Sequence, residues 1–387
     1  MEQHEVEQKL DRAEALYGER NVEAAAELLV DILNAHPNHS RALADLGVVC
    51  YAVEHYEDAV MLFARSVSAD NTNFEALNSL MQMFVAGGLP DQALLLWDEF
   101  GAFLSRPQQQ QLRRLLPRKG KERIKPTRVQ VGKVHFSLFL DPHEFSHRHM
   151  LDHFQRGLTY EEETTCLFLQ QLARGDTVID VGGHVGYFTL LAAHLVGKPG
   201  RVLTFEPSTK NYRKILLHLR KNRLVNAQVF NHALGSTRGT GRFFINLDNY
   251  GGHALWDIAT HEFNQRSSWC PLVKQIGIQR LDDLISIEEA RNVKLIKIDT
   301  EGSELAVLQG ARATLGEGRV PFVVCEINRF ALEHMGGSEQ ALRAEMAALG
   351  YSTYAFVGQG AEVRQLSPSE TVLSEHVFNL LFSRERF

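Results

Sequence analysis

The 387-residue sequence predicts an all-helical repeat domain followed by an α/β domain built on a doubly wound sheet. Two observations lead to this fold class. The first hundred or so residues match themselves after a shift of 34 positions, with Ala25, Ala59 and Ala93 in register. From residue 160 onward, apolar strand-like runs alternate with helical patterns, as expected for parallel strands joined by crossover helices.

The repeated segment contains about three copies of a helical pair. Leu29, Phe63 and Trp97 are also in register, and the middle copy, from Leu46 to Ala64, resembles the tetratricopeptide repeat. Stacked helix pairs of this kind bury a continuous core and leave a concave groove. We therefore predict a repeat domain over residues 1–105 whose groove binds a peptide, mediates self-association or braces the domain that follows.

Composition limits the class of protein. A net charge of −6 at pH 7 gives no reason to expect nucleic acid as a partner. No apolar stretch approaches the ~20 residues that cross a bilayer, and Met1–Leu10 is too polar for a signal peptide. The four cysteines are scattered without a CxxC motif, which favours reduced thiols. We expect a cytoplasmic protein without a transmembrane segment.

Residues 106–157 are predicted to form a basic and histidine-rich linker. Two pairs of histidines have the i, i+4 spacing that suits a metal, but on one helix the pairs would point to different faces. A pH-sensitive surface or ordinary packing is the alternative. The pairs are His143 with His147 and His149 with His153. The basic part is a solvated connection or contacts an anionic ligand; its charges are Arg113, Arg114, Arg118, Lys119, Lys121, Arg123, Lys125 and Arg128.

The most informative motif runs from Asp180 to Gly186 and has the sequence DVGGHVG between an apolar run and a helical pattern. It predicts a strand, a tight turn and a helix whose free N–H groups face a ligand. A second apolar run ends in Glu206, at the distance of one βαβ crossover. A carboxylate there accepts hydrogen bonds from both ribose hydroxyls, so the two motifs predict a pocket for an adenosine-containing cofactor.

S-adenosylmethionine suits this pocket better than a dinucleotide. A dinucleotide motif has the spacing G-x-G-x-x-G, with the helix start facing a pyrophosphate. Here Gly182, Gly183 and Gly186 follow the pattern G-G-x-x-G. Asp180 at the strand end would repel a pyrophosphate, whereas it attracts the amino group of a methionine moiety.

Seven strand candidates follow residue 160, most of them separated by helical patterns. The last follows the previous one without a helix between them, so we expect it to insert antiparallel, as is typical of class I methyltransferases. The candidates are Thr177–Gly182, Arg201–Glu206, Gln228–Ala233, Val293–Asp299, Val320–Ile327, Thr353–Val357 and Val377–Ser383.

Four motifs together resemble the FkbM-type methyltransferases. They are the glycine motif, Phe205-Glu206-Pro207, the segment Asn231–Gly235 and, as the most discriminating, the run DTEGSE from Asp299 to Glu304. The resemblance covers about residues 158–385 and assigns a methyltransferase domain to 158–387. The family usually has Ala-Asn where this chain has Gly183-His184, so we do not expect the family's usual contact there, although His184 can still hydrogen-bond.

This resemblance implies a class I methyltransferase fold and S-adenosylmethionine-dependent O-methylation of a sugar, glycolipid or polyketide-like hydroxyl. Tyr160-Glu161 resembles the family's segment over the cofactor, and Ala233-Leu234 is expected to flank the adenine. The cofactor residues expected from this and from the motifs are Glu161, Asp180, Gly182, His184, Gly186, Glu206, Ala233 and Leu234.

An alcohol is a poor nucleophile near neutral pH, so a positioned base should take its proton. The candidates are Asp299, Glu301, Glu304, Glu326 and His253, with Asp299 and Glu301 preferred because the end of the fourth strand faces the cofactor methyl in this fold. Neighbouring acids also raise one another's pKa, which suits a base. Glu304 can instead face the dipole of its own helix, and Glu326 can simply cap its strand.

A divalent cation offers a second mechanism. Asp299, Glu326 and Asn328 supply oxygen ligands suited to Mg²⁺ or calcium. This arrangement is similar to that of catechol O-methyltransferase, in which a metal acidifies the hydroxyl. The sequence leaves metal dependence open.

The segment Arg238–Arg280 mixes aromatic, amide and imidazole side chains, which suits sugar recognition or forms a packed hairpin and lid. Its candidates are Asn246, Asn249, Tyr250, His253, Trp256, His261 and Trp269. Two other functions stay open: methylation of a peptide docked by the repeats, and a scaffold that binds cofactor without turnover. The intact acids Asp180, Glu206 and Asp299 argue against the scaffold.

Overall fold

The computed structural model describes residues 2–116, 124–358, 360–374 and 377–386. The described residues divide into two compact units. Unit 1 contains those of the ranges 1–123, 244–248 and 258–275, and unit 2 contains those of 124–243, 249–257 and 276–387. No helix in the described ranges is long and apolar enough to cross a membrane.

Unit 1 is built mainly from helices that recur with the predicted period. Val22, Tyr56 and Pro90 each begin a helix, 34 residues apart, and Ala25, Ala59 and Ala93 lie fully buried where the helices pack. The tetratricopeptide interpretation stays a prediction. The helices are α1 (Gln3–Gly18), α2 (Val22–Ala35), α3 (Ser40–Ala52), α4 (Tyr56–Ala69), α5 (Phe74–Ala86), α6 (Pro90–Phe100) and α7 (Arg106–Arg113).

Unit 2 contains an eight-stranded sheet. Its central strands are parallel, and the last strand of the chain inserts antiparallel between two neighbours, which confirms the predicted fold class. The order across the sheet is β12 (Val363–Gln365), β11 (Ser352–Phe356), β13 (Phe378–Ser383), β10 (Phe322–Ile327), β9 (Val293–Ile298), β3 (Thr177–Val181), β4 (Arg201–Phe205) and β5 (Ala227–Phe230). The short edge strand β12 was not among the sequence candidates.

Apolar side chains cover both faces of this sheet. Val178 and Val202 belong to the core on one face, whereas their neighbours Ile179 and Leu203 belong to the core on the other. This alternation follows from the two-residue period of a strand.

The helices outside the repeats are α8 (Phe145–Gln155), α9 (Glu162–Gln171), α10 (Tyr187–Val196), α11 (Thr209–Lys221), α12 (Gln265–Trp269), α13 (Ile287–Ala290), α14 (Glu304–Gln309), α15 (Arg312–Gly316), α16 (Arg329–His334) and α17 (Glu339–Ala348).

The second half of the expected linker 106–157 is not a linker. An antiparallel hairpin of β1 (Thr127–Val131) and β2 (Val134–Leu138) precedes α8, and its apolar residues, such as Val129 and Phe136, are buried in the core of unit 2. The basic run obscured this short alternating pattern. Arg118, Lys119, Lys121 and Arg123 lie outside the described residues.

A three-stranded sheet has the order β6 (Ala233–Leu234), β8 (Leu272–Gln279) and β7 (Gly239–Ile245). β6 pairs in parallel with the end of β8, where Ala233 is opposite Ile278 and Leu234 is opposite Gln279. This pairing fixes the backbone of the two residues expected to flank the adenine.

Part of the predicted recognition segment belongs to unit 1. The Asn71 side chain donates to the Val273 carbonyl at 3.1 Å and accepts from the Gln275 N–H at 3.1 Å. The Lys274 ammonium lies 2.5 Å from a Glu99 carboxylate oxygen, and both side chains are buried. Through these contacts the segment packs against helices that precede it by some 170 residues or more, and it belongs to the same unit as they do.

Candidate functional site

A cavity of about 230 Å³ lies at the carboxyl ends of the parallel strands of unit 2. This is the edge at which doubly wound sheets bind their ligands. Ten of the predicted cofactor-binding, catalytic and metal-ligating residues line it: Glu161, Gly182, His184, Glu206, Ala233, Leu234, His253, Asp299, Glu301 and Glu326.

The turn after β3 requires glycine where it meets the neighbouring strand. Gly182 has a φ of +87°, and a Cβ atom there would lie 1.7 Å from the backbone oxygen of Asp299. Gly186, with a φ of +88°, precedes the first residue of α10. Gly186 is not one of the described residues that line the cavity, so its role in the site is to shape the turn.

Glu206 is held rigidly just after β4. The N–H of His184 donates to Oε2 at 2.7 Å, and the N–H of Ser208 donates to Oε1 at 2.8 Å. The residue is only 5% exposed, yet it lines the cavity. Each carboxylate oxygen accepts more than one hydrogen bond, so Glu206 can still receive two hydroxyl donors.

Asp180 lies behind the main cavity and lines an adjoining space of about 20 Å³. Its Oδ2 atom accepts a hydrogen bond from the Thr189 hydroxyl at 2.6 Å. Its Oδ1 atom is buried and has no hydrogen-bond partner among the described residues. Gly182, His184, Lys297 and other residues complete the lining.

Three carboxylates converge in the lining of the main cavity. One oxygen each from Glu161, Asp299 and Glu326 lies within 4.8 Å of the other two. The ammonium of Lys297 lies 2.7 Å from Asp299 Oδ2 and 4.7 Å from the ring centre of Phe188. Lys297 was not among the predicted site residues, although a lysine inside a buried strand was a visible signal.

Burial has a large effect on these acids. It raises the pKa of Glu161 to about 7 and, with the charges of Asp299 and Glu304, that of Glu301 to about 8. Burial also raises the pKa of Glu326. For Lys297, burial alone would lower the pKa, but the surrounding carboxylates outweigh it and the pKa is raised. Lys297 is therefore a permanent cation within an acidic cluster.

The Glu304 side chain binds the loop between β9 and α14 and does not line the cavity. Its Oε1 atom accepts from the Thr300 N–H at 3.0 Å, the Thr300 hydroxyl at 2.9 Å and the Gly302 N–H at 3.0 Å. The residue is 1% exposed. These bonds shape the loop that presents Asp299 and Glu301.

Asn328 is engaged outside the three-carboxylate cluster. Its Oδ1 atom accepts from the Ala331 N–H at 3.2 Å and so caps α16, and its amide donates to Glu301 Oε2 at 3.4 Å. The structure thus brings Asp299 and Glu326 together with Glu161, and not with Asn328 as the sequence suggested.

Residues 249–257 supply another part of the cavity wall. Asn249 and His253 line it, and the Trp256 indole donates to the backbone oxygen of Glu301 at 2.8 Å. Lys210 lies over the ring of Tyr250, 3.8 Å from its centre. Asn246, His261 and Trp269, predicted with them, belong to unit 1.

The predicted histidine cluster does not converge. His147 is fully buried and accepts a hydrogen bond from the Asp141 N–H at 3.0 Å. His149 and His153 contact each other edge-on, with ring centres 4.4 Å apart. His184 lies deep in the site, where burial lowers its pKa to about 4 and keeps it neutral at pH 7.

Comparison with known proteins gives matches to methyltransferases. Residues 180–353 match the family model described as the Methyltransferase FkbM domain. A 143-residue stretch is 23% identical to Methyltransferase 1 of Beauveria bassiana (strain ARSEF 2860), over 34% of this chain and 57% of that protein. The chain therefore spans little more than half the length of this relative.

Similar solved structures include three methyltransferases. A SAM-dependent O-methyltransferase from Thermotoga maritima is 12% identical with a TM-score of 0.31, over 67% of this chain and 77% of its own. Precorrin-6y C5,15-methyltransferase from Geobacter metallireducens is 12% identical with a TM-score of 0.32, over 58% and 88%. A Streptococcus mutans chain solved in complex with SAH is 9% identical with a TM-score of 0.33, over 58% and 98%.

Proposed function

Because residues 180–353 form a methyltransferase domain of the FkbM family, we propose that this protein uses S-adenosylmethionine to methylate a hydroxyl of a sugar, glycolipid or polyketide-like metabolite. We place it in the cytoplasm, which agrees with four free cysteines. The observation that carries the proposal is the cavity at the strand ends, with a fixed Glu206 on one side and acids on the other.

The residues present suit the cofactor. The Glu206 carboxylate is oriented by two N–H donors and can accept both ribose hydroxyls. Ala233 and Leu234 offer an apolar surface to the adenine. The buried Oδ1 atom of Asp180, without a partner among the described residues, suits the ammonium of the methionine moiety. When bound, the cofactor supplies a methyl group on a sulfonium centre.

Glu301 is our preferred base for the acceptor hydroxyl. It lines the cavity, and the Asn328 amide at 3.4 Å orients its carboxylate. Its pKa of about 8 is close to the pH at which a general base is most effective. Asp299 is already paired with Lys297, which makes it a fixed hydrogen-bond acceptor rather than the preferred base. His253 is the alternative base on the facing wall.

Mg²⁺ fits this site less well than the sequence suggested. Glu161, Asp299 and Glu326 provide oxygen ligands, but the Lys297 ammonium already lies 2.7 Å from one of them and would repel a divalent cation. We derive no step through a metal. Dialysis against EDTA should leave methyl transfer unchanged, and a loss that Mg²⁺ restores would show that the metal is needed.

The experiment is transfer of a labelled methyl group from S-adenosylmethionine to separate pools of glycans, lipids and polyketides. We expect label in an alkali-stable ether of one pool, lost in Glu301→Gln. Glu333→Gln, at an exposed position of α16, is the matched control. Label on nitrogen or carbon instead of oxygen would contradict O-methylation.

A groove in unit 1 supports a second candidate, a peptide or protein acceptor docked by the repeats. The groove has a volume of about 690 Å³ and is lined by aromatic and apolar side chains that include Tyr51, Tyr56, Met83 and Trp269. Tyr51 and Tyr56 are half exposed, so they are accessible to a partner. Label incorporated into protein rather than into the metabolite pools, and lost in Tyr51→Ala, would favour this candidate.

A further inference from the structure

We infer that Lys210 is a positioning residue that holds two walls of the cavity together, so that exchange of the cofactor requires these walls to separate. The first, the helix wall, is the start of α8, residues 144–149. The second, the loop wall, is the segment 249–251. Both contribute residues to the lining of the cavity. The inference rests on the proposed use of S-adenosylmethionine and adds how its entry and release are controlled.

The Lys210 side chain contacts both walls at once. Its ammonium lies 3.0 Å from Oε1 of Glu144 in the helix wall and 3.8 Å from the ring centre of Tyr250 in the loop wall. The side chains of Lys210 and Glu144 are 11% and 8% exposed, and Tyr250 is buried. An ion pair and a cation–π contact are stronger at such desolvated positions than at the surface. These three residues, called the clasp below, therefore join two walls that are distant in the sequence.

The two walls also touch each other at Gly251. A Cβ atom on Gly251 would lie 3.3 Å from the Cβ atom of Ser146 in the helix wall. It would also lie 3.3 Å from Nε2 of His184, in the turn after β3. Ser146, His184 and Gly251 all line the cavity. Residues in such close contact leave no passage for a ligand between them, so this side of the cavity is closed while the clasp is formed.

The clasp is anchored beside the acid that binds the ribose in the proposed function. Lys210 lies in the first turn of α11, and Ser208, just before that helix, donates its N–H to Oε1 of Glu206. The amide of Asn211 donates to the backbone oxygen of Tyr250 at 3.5 Å, and Asn211 lines the cavity. The same turn of the chain thus orients Glu206 and holds the loop wall. The walls therefore meet at the end of the cavity where the ribose is proposed to bind.

The loop wall is the part that moves when the clasp opens. The helix wall is fixed, because His147 and Met150 of α8 are buried. The loop wall contains a turn of its own, in which the Gly251 N–H donates to Oδ1 of Asn249 at 3.0 Å and the Gly252 N–H donates to the Asn249 backbone oxygen at 2.9 Å. Both bonds survive a displacement of the segment as a unit, so opening the clasp leaves this turn intact.

The test measures the rates at which labelled S-adenosylmethionine binds to the full chain and leaves it. Binding is followed by rapid filtration, and release is started with an excess of unlabelled S-adenosylhomocysteine. We expect Lys210→Met to raise both rate constants about tenfold, which is the effect of losing one modest contact in the closed state. Lys210→Arg should restore slow exchange, because a guanidinium pairs with a carboxylate and stacks on a ring. The control is Lys221→Met, at an exposed lysine in the last turn of the same helix, which should change neither rate.

The two rates distinguish an open clasp from a damaged pocket. A damaged pocket releases the cofactor faster but does not bind it faster, so faster release with slower or unchanged binding would overturn the inference. Unchanged rates in Lys210→Met would also overturn it, and both results would leave methyl transfer standing. If Lys210→Met does not fold, Tyr250→Leu removes the ring contact and keeps the ion pair, and unchanged rates there would be equally contrary. Failure of the wild type to bind S-adenosylmethionine would contradict the proposed function and the inference with it.

Discussion

His218 should make the stability of unit 2 depend on pH. This residue of α11 is fully buried, and both ring nitrogens are hydrogen-bonded to backbone. Nε2 accepts from the Phe139 N–H at 2.9 Å, and Nδ1 lies 2.7 Å from the Val185 oxygen, to which it donates. The neutral ring thereby ties the turn after β3 to the segment that follows β2. Protonation of Nε2 would break the bond to Phe139.

The magnitude follows from the pKa. Burial is the largest cause that lowers the pKa of His218, from an ordinary 6.5 to about 4. Because the unfolded chain then binds the proton more readily, the contribution of His218 to the free energy of unfolding is constant above about pH 7 and is lost as the pH drops from 6.5 towards 4. At about 1.4 kcal/mol per pKa unit, this single group contributes about 3 kcal/mol.

The assay is denaturant unfolding at pH 7.0 and at pH 4.5, compared between the wild type and His218→Gln. Other buried histidines titrate in both proteins, so the difference between the two isolates His218. We expect the variant to be less stable at pH 7 and to lose about 2 to 3 kcal/mol less than the wild type on acidification. An equal loss in both proteins, or a resonance of His218 itself that titrates near pH 6.5, would refute the reasoning.

Substitutions at three further positions test the framework of the two units by denaturant unfolding and, for Gly182, by cofactor binding. Gly182→Ala should abolish cofactor binding and cost about 3 kcal/mol, because its Cβ would collide with the Asp299 backbone; unchanged binding would contradict the close approach. Glu304→Ala should cost about 1 to 3 kcal/mol by leaving three loop donors unpaired, whereas Glu304→Gln should cost less. Glu99→Ala should destabilise unit 1 by about 3 to 5 kcal/mol because it breaks the buried ion pair with Lys274, and a neutral effect would show that this ion pair is not formed.

The sheet of unit 2 could be predicted because its strands carry local signals. The buried runs around Ile179 and Leu203 are bounded by glycines and acids at the places where the strands end. The antiparallel last strand followed from the missing helix before it. The hairpin of β1 and β2 was missed, since a basic run beside it dominated the local composition.

Contacts over long sequence distances could not be predicted. Segment 258–275 belongs to unit 1 through single side chains such as Asn71 and Glu99, which carry no sequence signal for that contact. For the same reason, the metal prediction combined Asp299 with Glu326 and Asn328 from the adjacent strand end, whereas the structure supplies Glu161 from a helix start about 140 residues before Asp299.

The site residues divide along the same line. Glu206 and Gly182 lie in motifs with a known backbone requirement, and the structure places both at the cavity. The roles of Glu301 and Glu304 depended on where each side chain points, which the conformation of the loop between β9 and α14 decides. The pairing of Lys297, by contrast, could have been predicted from the sequence. A charged side chain inside an apolar strand needs an opposite charge nearby, and Asp299 supplies it.

The most direct test of the account is calorimetric titration of the purified chain with S-adenosylmethionine, with Glu206→Ala and the exposed Glu333→Ala measured alongside. The account predicts saturable binding in the micromolar range by the wild type and Glu333→Ala, and its loss in Glu206→Ala, because only Glu206 is held at the end of β4 by two N–H donors. Absence of binding by the folded wild type, or unchanged binding by Glu206→Ala, would contradict it.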